Sequence, residues 1–340
     1  MLTANKYLDM RLRTSPHDAR GVKTAGIMRA VVTALLPIAV FAVYAFGISA
    51  LFILITTTVS CLATEIFFCR LSNRKNSIPD YSAAITGVLL GLTLPPAMPL
   101  WMAAVGGFVA IALGKALFGG LGFNVFNPAL VGRAFLQAAF PQAITTWSPV
   151  FTEGRFLKPF SSTFAVPLMK PVVDGMSGAT PLSALKFDGQ VAVAQDLLLG
   201  AIPGSTGETC TALILIAGIY LAVKRLLDWR IPAGILGTAA ALSAILHFVN
   251  PVYPSAPFTL FSGGLMLGAI FMATDMVTSP VTDAGTWIYA VLIGIIIVVI
   301  RIWGGLPEGV MYAILLGNAV APGLDRLTQP TPYGKRRKPA

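Results

Sequence analysis

The feature that most restricts this chain is a succession of long apolar runs separated by short polar segments. The stretch 26–47 carries one charged residue, Arg29, and 48–69 carries one, Glu65. A helix needs about 20 predominantly apolar residues to cross the hydrocarbon core of a bilayer, and both stretches reach that length. Further runs between charges and breakers lie at 80–96, 100–118, 123–140, 205–223, 232–249, 258–275, 285–302 and 308–321. The expected fold is an all-α integral membrane domain spanning 1–340, with about ten transmembrane helices. Composition agrees: 56% of the 340 residues are hydrophobic and 11% charged, where soluble domains carry roughly 25%. That excludes an ordinary cytosolic enzyme. The first 24 residues are polar and basic with no apolar core, so no cleavable signal peptide is expected and the first span acts as anchor.

Lys and Arg exceed Asp and Glu by 24 to 14. The basic residues fall between the apolar runs and at both ends, without the aromatic interleaving of a nucleic-acid platform, so no nucleic-acid partner is expected. Basic residues are retained on the cytoplasmic side. With the N-terminus inside, only Arg133, Arg155, Lys158, Lys170, Lys186 and Arg301 fall outward. Both termini are therefore expected to be cytoplasmic and segment 141–189 to face outward, between a first half (1–140) and a second half (190–340) of five spans each. The halves enter from opposite sides, which makes them candidate inverted repeats. Gly87-Val-Leu-Leu-Gly91 matches Gly264-Leu-Met-Leu-Gly268, and Asn127-Pro128 has a loose echo at Asn318 to Pro322.

Several spans are interrupted, at Pro95-Pro96, Asn127-Pro128 and Thr278-Ser279-Pro280, and the apolar stretch 191–202 is too short to cross. Broken helices free carbonyls that only protein or water can satisfy, either as packing kinks or as midplane binding sites. Ionisable residues within spans are functional suspects: Glu65, Lys115, Arg133, Asp275 and Arg301. Lys115 and Arg301 lie close enough to span ends to snorkel. Glu65 and Asp275 fall in the inner half and are either ion-path carboxylates or partners of basic residues. Arg133 either satisfies carbonyls freed at Asn127-Pro128 or contacts a cofactor. Ser205-Thr206-Gly207-Glu208 reads as a capping box opening the sixth span, or as a turn that cradles a phosphate. Cys61, Cys69, Cys210, His17 and His247 show no ligand spacing, so no metal site is expected.

The most informative stretch is Asp174-Gly175-Met176-Ser177-Gly178-Ala179-Thr180-Pro181 in the outward segment. Thr before Pro is a good helix start, with Thr180 as N-cap and Pro181 at the first helical position. The same residues resemble the Asp-Gly-x-Ser-Gly-Ala-Thr acceptor signature of bacterial periplasmic flavin transferases. The whole chain is similar to a family comprising the RnfD subunits of Rnf ion-translocating electron transport complexes and the NqrB subunits of sodium-translocating NADH:quinone reductases. Length and the short basic N-terminus favour the Rnf branch. The match includes Asn124 to Phe135, Pro203 to Glu208 and Ala273 to Pro280, with Met276 standing where relatives are expected to carry proline.

The resemblance implies FMN joined through its phosphate to the Thr180 hydroxyl, with Asp174, Gly175, Ser177, Gly178 and Ala179 as the transferase recognition element. It also allows riboflavin or another second, non-covalent flavin near the inner side. It further implies a bacterial inner-membrane subunit of a redox-driven ion translocase of the ferredoxin:NAD oxidoreductase type, with Na+ or H+ as the driven ion. The implied partners are other membrane and peripheral subunits, an outward-facing FMN subunit, and a periplasmic flavin transferase. No GxGxxG follows a strand, so no NADH site is expected on this chain. The rival reading is a secondary transporter or channel without flavin, which broken helices and inverted halves suit equally.

Overall fold

A computed structural model describes residues 24–74, 77–167, 180–189, 194–200, 202–208 and 210–330. Asp174, Gly175, Ser177, Gly178 and Ala179 lie outside the described residues. The described chain is helical: α1 (Thr24–Phe46), α2 (Ile48–Leu71), α3 (Ser82–Thr93), α4 (Leu100–Ile111), α5 (Pro128–Ala139), α6 (Pro141–Thr145), α7 (Pro181–Ser183), α8 (Ala194–Leu199), α9 (Thr211–Val223), α10 (Arg230–Val249), α11 (Ala256–Phe261), α12 (Leu265–Leu267), α13 (Asp283–Trp303) and α14 (Val310–Thr328). Wide π-helical turns extend α4 through Ala112–Ala116, α7 through Ala184–Asp188 and α12 through Gly268–Met272.

Among the described residues α1, α2, α10 and α13 are long and apolar enough to cross a membrane, at 23, 24, 20 and 21 residues. At about 1.5 Å per residue they extend roughly 30–36 Å, the thickness of the hydrocarbon core. The protein is an integral membrane protein of all-α class. One group packs α2 against α3 and α4, and α4 against α5; another packs α13 against α10 and α14. They are joined through α1 on α9 and α5 on α14.

Several expected spans are shorter or divided. The run 123–140 is helical only from Pro128, because Asn127 caps α5 by accepting from the Ala129 and Leu130 N–H groups. The run 205–223 starts its helix at Thr211, and 258–275 divides into α11, α12 and a π-helical turn. The reason for the short α3 is visible in its carbonyls. Pro95 and Pro96 end the helix, and the orphan acceptors are bonded by other elements: Gly91 O by the Thr206 hydroxyl (2.7 Å), Leu92 O by Gly207 N–H (2.7 Å), Thr93 O by Arg133 (2.7 Å) and Leu94 O by Thr206 N–H (3.1 Å). The break after Met272 is answered by the Asn127 amide on Met272 O (3.1 Å) and the Tyr289 hydroxyl on Ala273 O (3.3 Å). Helix α5 and its cap thus bond the ends of both interrupted segments.

These bonds overturn the capping-box reading of Ser205 to Glu208. The turn is spent on the carbonyls of α3, the helix that follows begins only at Thr211, and Glu208 is paired with Arg133. They also redirect Arg133, which satisfies Thr93 at the Pro95-Pro96 break and not Asn127-Pro128.

Segment 141–167 lies over the turn between α1 and α2. Gly47 there has φ +75°, and an added Cβ would overlap the backbone of Arg155, so only glycine fits on both counts. Arg155 donates from Nε to Tyr44 O (2.9 Å) and stacks over the rings of Tyr44, Phe151 and Phe156.

Candidate functional site

Thr180 opens a short helical turn. Its Oγ1 accepts from the Ser183 N–H (3.2 Å) and lies 2.8 Å from the Ser183 hydroxyl, while Pro181 occupies the first helical position. The local N-cap expected from sequence is present. The turn is held by Lys186, whose Nζ donates to Arg301 O (3.1 Å), Gly304 O (2.5 Å) and Leu306 O (3.1 Å). These carbonyls end α13 and begin the loop after it, so an ammonium there complements both the free acceptors and the helix dipole. Partial burial pushes that ammonium below the ordinary lysine value.

Thr180 lines a cavity of about 230 Å³. Its walls are apolar and aromatic, from Ile144, Trp147, Leu182, Phe187, Phe261 and Met311, with Gln137 and Tyr312 adding polar atoms. Its floor is charged. Arg133, 5% exposed, donates from one terminal nitrogen to Thr93 O and to Glu208 Oε1 (3.2 Å), and from the other to Glu308 Oε2 (2.7 Å). Glu308 Oε1 accepts the Gly264 N–H (2.7 Å). Gly264 lies against the carboxylates of Glu208 and Glu308: an added Cβ would overlap both.

Arg301 is also buried, at 7% exposure, and donates to Thr259 O (2.6 Å) and Ser262 O (2.9 Å), capping the end of α11. It does not snorkel: its guanidinium is buried and bonded to the freed carbonyls of α11. Lys115 does not snorkel either. At 2% exposure it donates to Glu65 Oε1 (2.7 Å) and Ser82 Oγ (2.7 Å), since a buried ammonium is held by a paired carboxylate. Glu65 also accepts from the Ser77 hydroxyl.

A second cavity of about 100 Å³ lies toward the other end of the helices, lined by Met28, Ser82, Lys115, Asn124, Asn127, Asp275 and Met276 among others. Asp275 accepts from the Val277 N–H (3.3 Å) and the Thr278 hydroxyl (3.4 Å). Among the described residues it forms no ion pair, whereas Glu65 does. Glu65 does not line this cavity; Lys115 lines it together with Asp275 and bonds Glu65. His247 bonds through Nδ1 to Tyr253 O (2.7 Å). No cluster able to hold a metal ion occurs among the described residues.

Sequence reasoning singled out Thr180 and Arg133 but not that they share a cavity, and it missed Glu308, Gln137 and Tyr312. The available signal was the Gly263-Gly264 pair, which marks a close approach but does not say to what.

Fold and site together define a polytopic helical membrane protein with a charge-floored cavity bordered by Thr180 and a smaller cavity toward the opposite end. The model of the NQR2, RnfD, RnfE family matches residues 11–334, and the chain belongs to that family. It is 41% identical over 337 residues to the D component of the proton-translocating ferredoxin:NAD(+) oxidoreductase complex of Clostridium ljungdahlii, covering 96% of each chain. It is 42% identical to the D component of the ion-translocating oxidoreductase complex of Stutzerimonas stutzeri, covering 92% of each. To the D component of the Na(+)-translocating ferredoxin:NAD(+) oxidoreductase complex of Acetobacterium woodii it is 40% identical, covering 96% of each.

Proposed function

We propose that this chain is the membrane subunit of a redox-driven ion translocase of the ferredoxin:NAD oxidoreductase type, and that it relays electrons through an FMN esterified to Thr180 while the complex moves Na+ or H+. The single observation that carries the flavin assignment is the position of the Thr180 hydroxyl at a 230 Å³ cavity with aromatic walls and a hydrogen-bonding floor. Sites of this make-up suit a flat, largely apolar ring with a polar edge. Bound FMN supplies reversible electron acceptance.

The chain's own residues do the rest. Thr180 Oγ1 is the ester oxygen, and in that role it still accepts the Ser183 N–H. Lys186 fixes the turn against the end of α13. Trp147, Phe187 and Phe261 would wall the ring with apolar surface, and Arg133, held by Glu208 and Glu308, would supply the charged groups of the floor beneath it. Asp174, Gly175, Ser177, Gly178 and Ala179 form the element that a periplasmic flavin transferase reads. NADH is bound by other subunits, and electrons arrive from a neighbouring outward-facing FMN subunit.

The Thr180 end faces outward across the bacterial inner membrane, with both termini cytoplasmic. The distribution of charge supports this: Arg70, Arg74, Arg225, Arg230 and Arg326 gather at the other end of the helices. The riboflavin or other non-covalent flavin that the resemblance allows is assigned to the second cavity on its position alone. Asp275, without an ionic partner among the described residues, is the stronger ion-path carboxylate; Glu65 contributes through its link to Lys115. The two halves, with interrupted segments ending at Thr93 and Met272 and both bonded from α5, are read as inverted repeats within a bundle of about ten helices.

Expression with the transferase, followed by denaturing electrophoresis under ultraviolet light, tests the assignment. Wild type is expected to fluoresce and Thr180→Val to be dark. A dark wild-type band refutes the flavin reading and favours a transporter without flavin.

A further inference from the structure

The cavity floor holds Arg133 and two carboxylates, Glu208 and Glu308, that are not equivalent, and Arg301 lies close by beside Gly263. Glu308 has both oxygens engaged, one by the Gly264 N–H (2.7 Å) and one by Arg133 (2.7 Å). Glu208 meets Arg133 through Oε1 alone and at the longer distance of 3.2 Å. Around it are Glu308, Arg133 from α5 and the buried Ser205 hydroxyl of its own turn, with Arg301 from α13 close by and Tyr312 from α14 lining the same cavity. Glu208 lines the same cavity as Thr180.

Among the protein groups Arg133 and Arg301 offset Glu208 and Glu308, and the phosphodiester that joins the flavin to Thr180 adds one further negative charge to the site. An electron added to a ring in this cavity leaves further negative charge beside buried carboxylates, which is costly where water screens it poorly. The charge is removed most readily by a proton on whichever carboxylate loses least by becoming neutral. Protonating Glu308 sacrifices one of two short bonds to donors, whereas Glu208 is tied to Arg133 through Oε1 alone and at the longer distance.

We infer that Glu208 is the redox-linked proton site of the flavin held by Thr180, taking up a proton when the ring accepts an electron and returning it when the electron leaves. In the first step a one-electron carrier of the complex is oxidised as the ring is reduced; a proton from water at the cavity mouth forms an O–H bond on Glu208. In the second the ring is oxidised by the next carrier and that O–H bond breaks, releasing the proton. Glu208 acts on the ring through charge, as a positioning residue. This inference rests on the covalent-flavin reading.

The test is a redox titration of the Thr180-linked flavin in the intact complex between pH 6 and pH 8. Wild type is expected to shift its one-electron equilibrium about tenfold per pH unit, or about 59 mV. Glu208→Gln is expected to shift less than about twofold per unit, and Glu208→Asp to restore most of the dependence. A labelled Glu208→Gln complex that keeps the full slope, or a wild type without one, overturns the inference and leaves the flavin assignment standing. A wild-type chain that carries no fluorescent label defeats the assignment itself. Should Glu208→Gln not assemble, reduced-minus-oxidised infrared spectra of wild type decide: a carboxylic-acid C=O band that appears on reduction and moves in D2O is expected, and its absence overturns the proposal.

Discussion

Lys115→Met removes an ammonium that is 2% exposed and donates at 2.7 Å to both Glu65 and Ser82. Glu65 keeps the Ser77 hydroxyl as a donor but loses the cation it is paired with. Ser82 still has Asp80 Oδ1 at 2.5 Å, so the damage is concentrated on the carboxylate. Removing one partner of a buried pair costs about 3–5 kcal/mol, because the other charge stays buried and uncompensated. With an unfolding entropy of about 2.1 cal/mol/K per residue and 340 residues, that corresponds to a loss of roughly 4–7 °C in the unfolding midpoint. The double variant Glu65→Met/Lys115→Met removes both charges and is expected to recover most of the loss, to within about 1 kcal/mol of wild type. Thermal unfolding of the detergent-purified chain, followed by circular dichroism, gives all three midpoints. Equal losses in the single and double variants refute the reasoning, since the penalty then comes from packing and not from an orphaned charge.

Lys186→Met is expected to free the Thr180 turn from the end of α13 at a cost of about 1.5–3 kcal/mol, the range for hydrogen bonds to charged groups; hydrogen exchange across 180–189 is expected to accelerate. Gly47→Ala meets both the φ of +75° and the Arg155 backbone, and is expected to lower stability by about 1–3 kcal/mol, read as a lower unfolding midpoint with faster proteolysis of 141–167. Gly264→Ala is expected to displace Glu208 and Glu308 from Arg133, altering the potential of the Thr180-linked flavin while the fluorescent label is retained.

The membrane class was legible in the sequence because apolar length is a property of contiguous residues. Span ends were less legible, and the errors share a cause. Arg133, Arg301 and the 205–208 turn each bond carbonyls left open by a helix break far away in the chain, at Thr93, at Thr259 and Ser262, and at Leu92 and Leu94. Local pattern cannot show a partner separated by tens of residues, so a buried arginine resembled a snorkelling one and a bridging turn resembled a cap. Lys115 is the same case, with Glu65 fifty positions away. The Thr180-Pro181 helix start was legible in the sequence, but the cavity beside it was not, because Arg133, Glu208 and Glu308 reach it from three separate parts of the chain.

Mass spectrometry of the proteolytic fragment running from Asp174 to Lys186, taken from native membranes of cells that contain the flavin transferase, is the most direct measurement. The fragment is expected to carry the mass of FMN less one water, with fragmentation locating the addition on Thr180. The same fragment recovered at its unmodified mass contradicts the account.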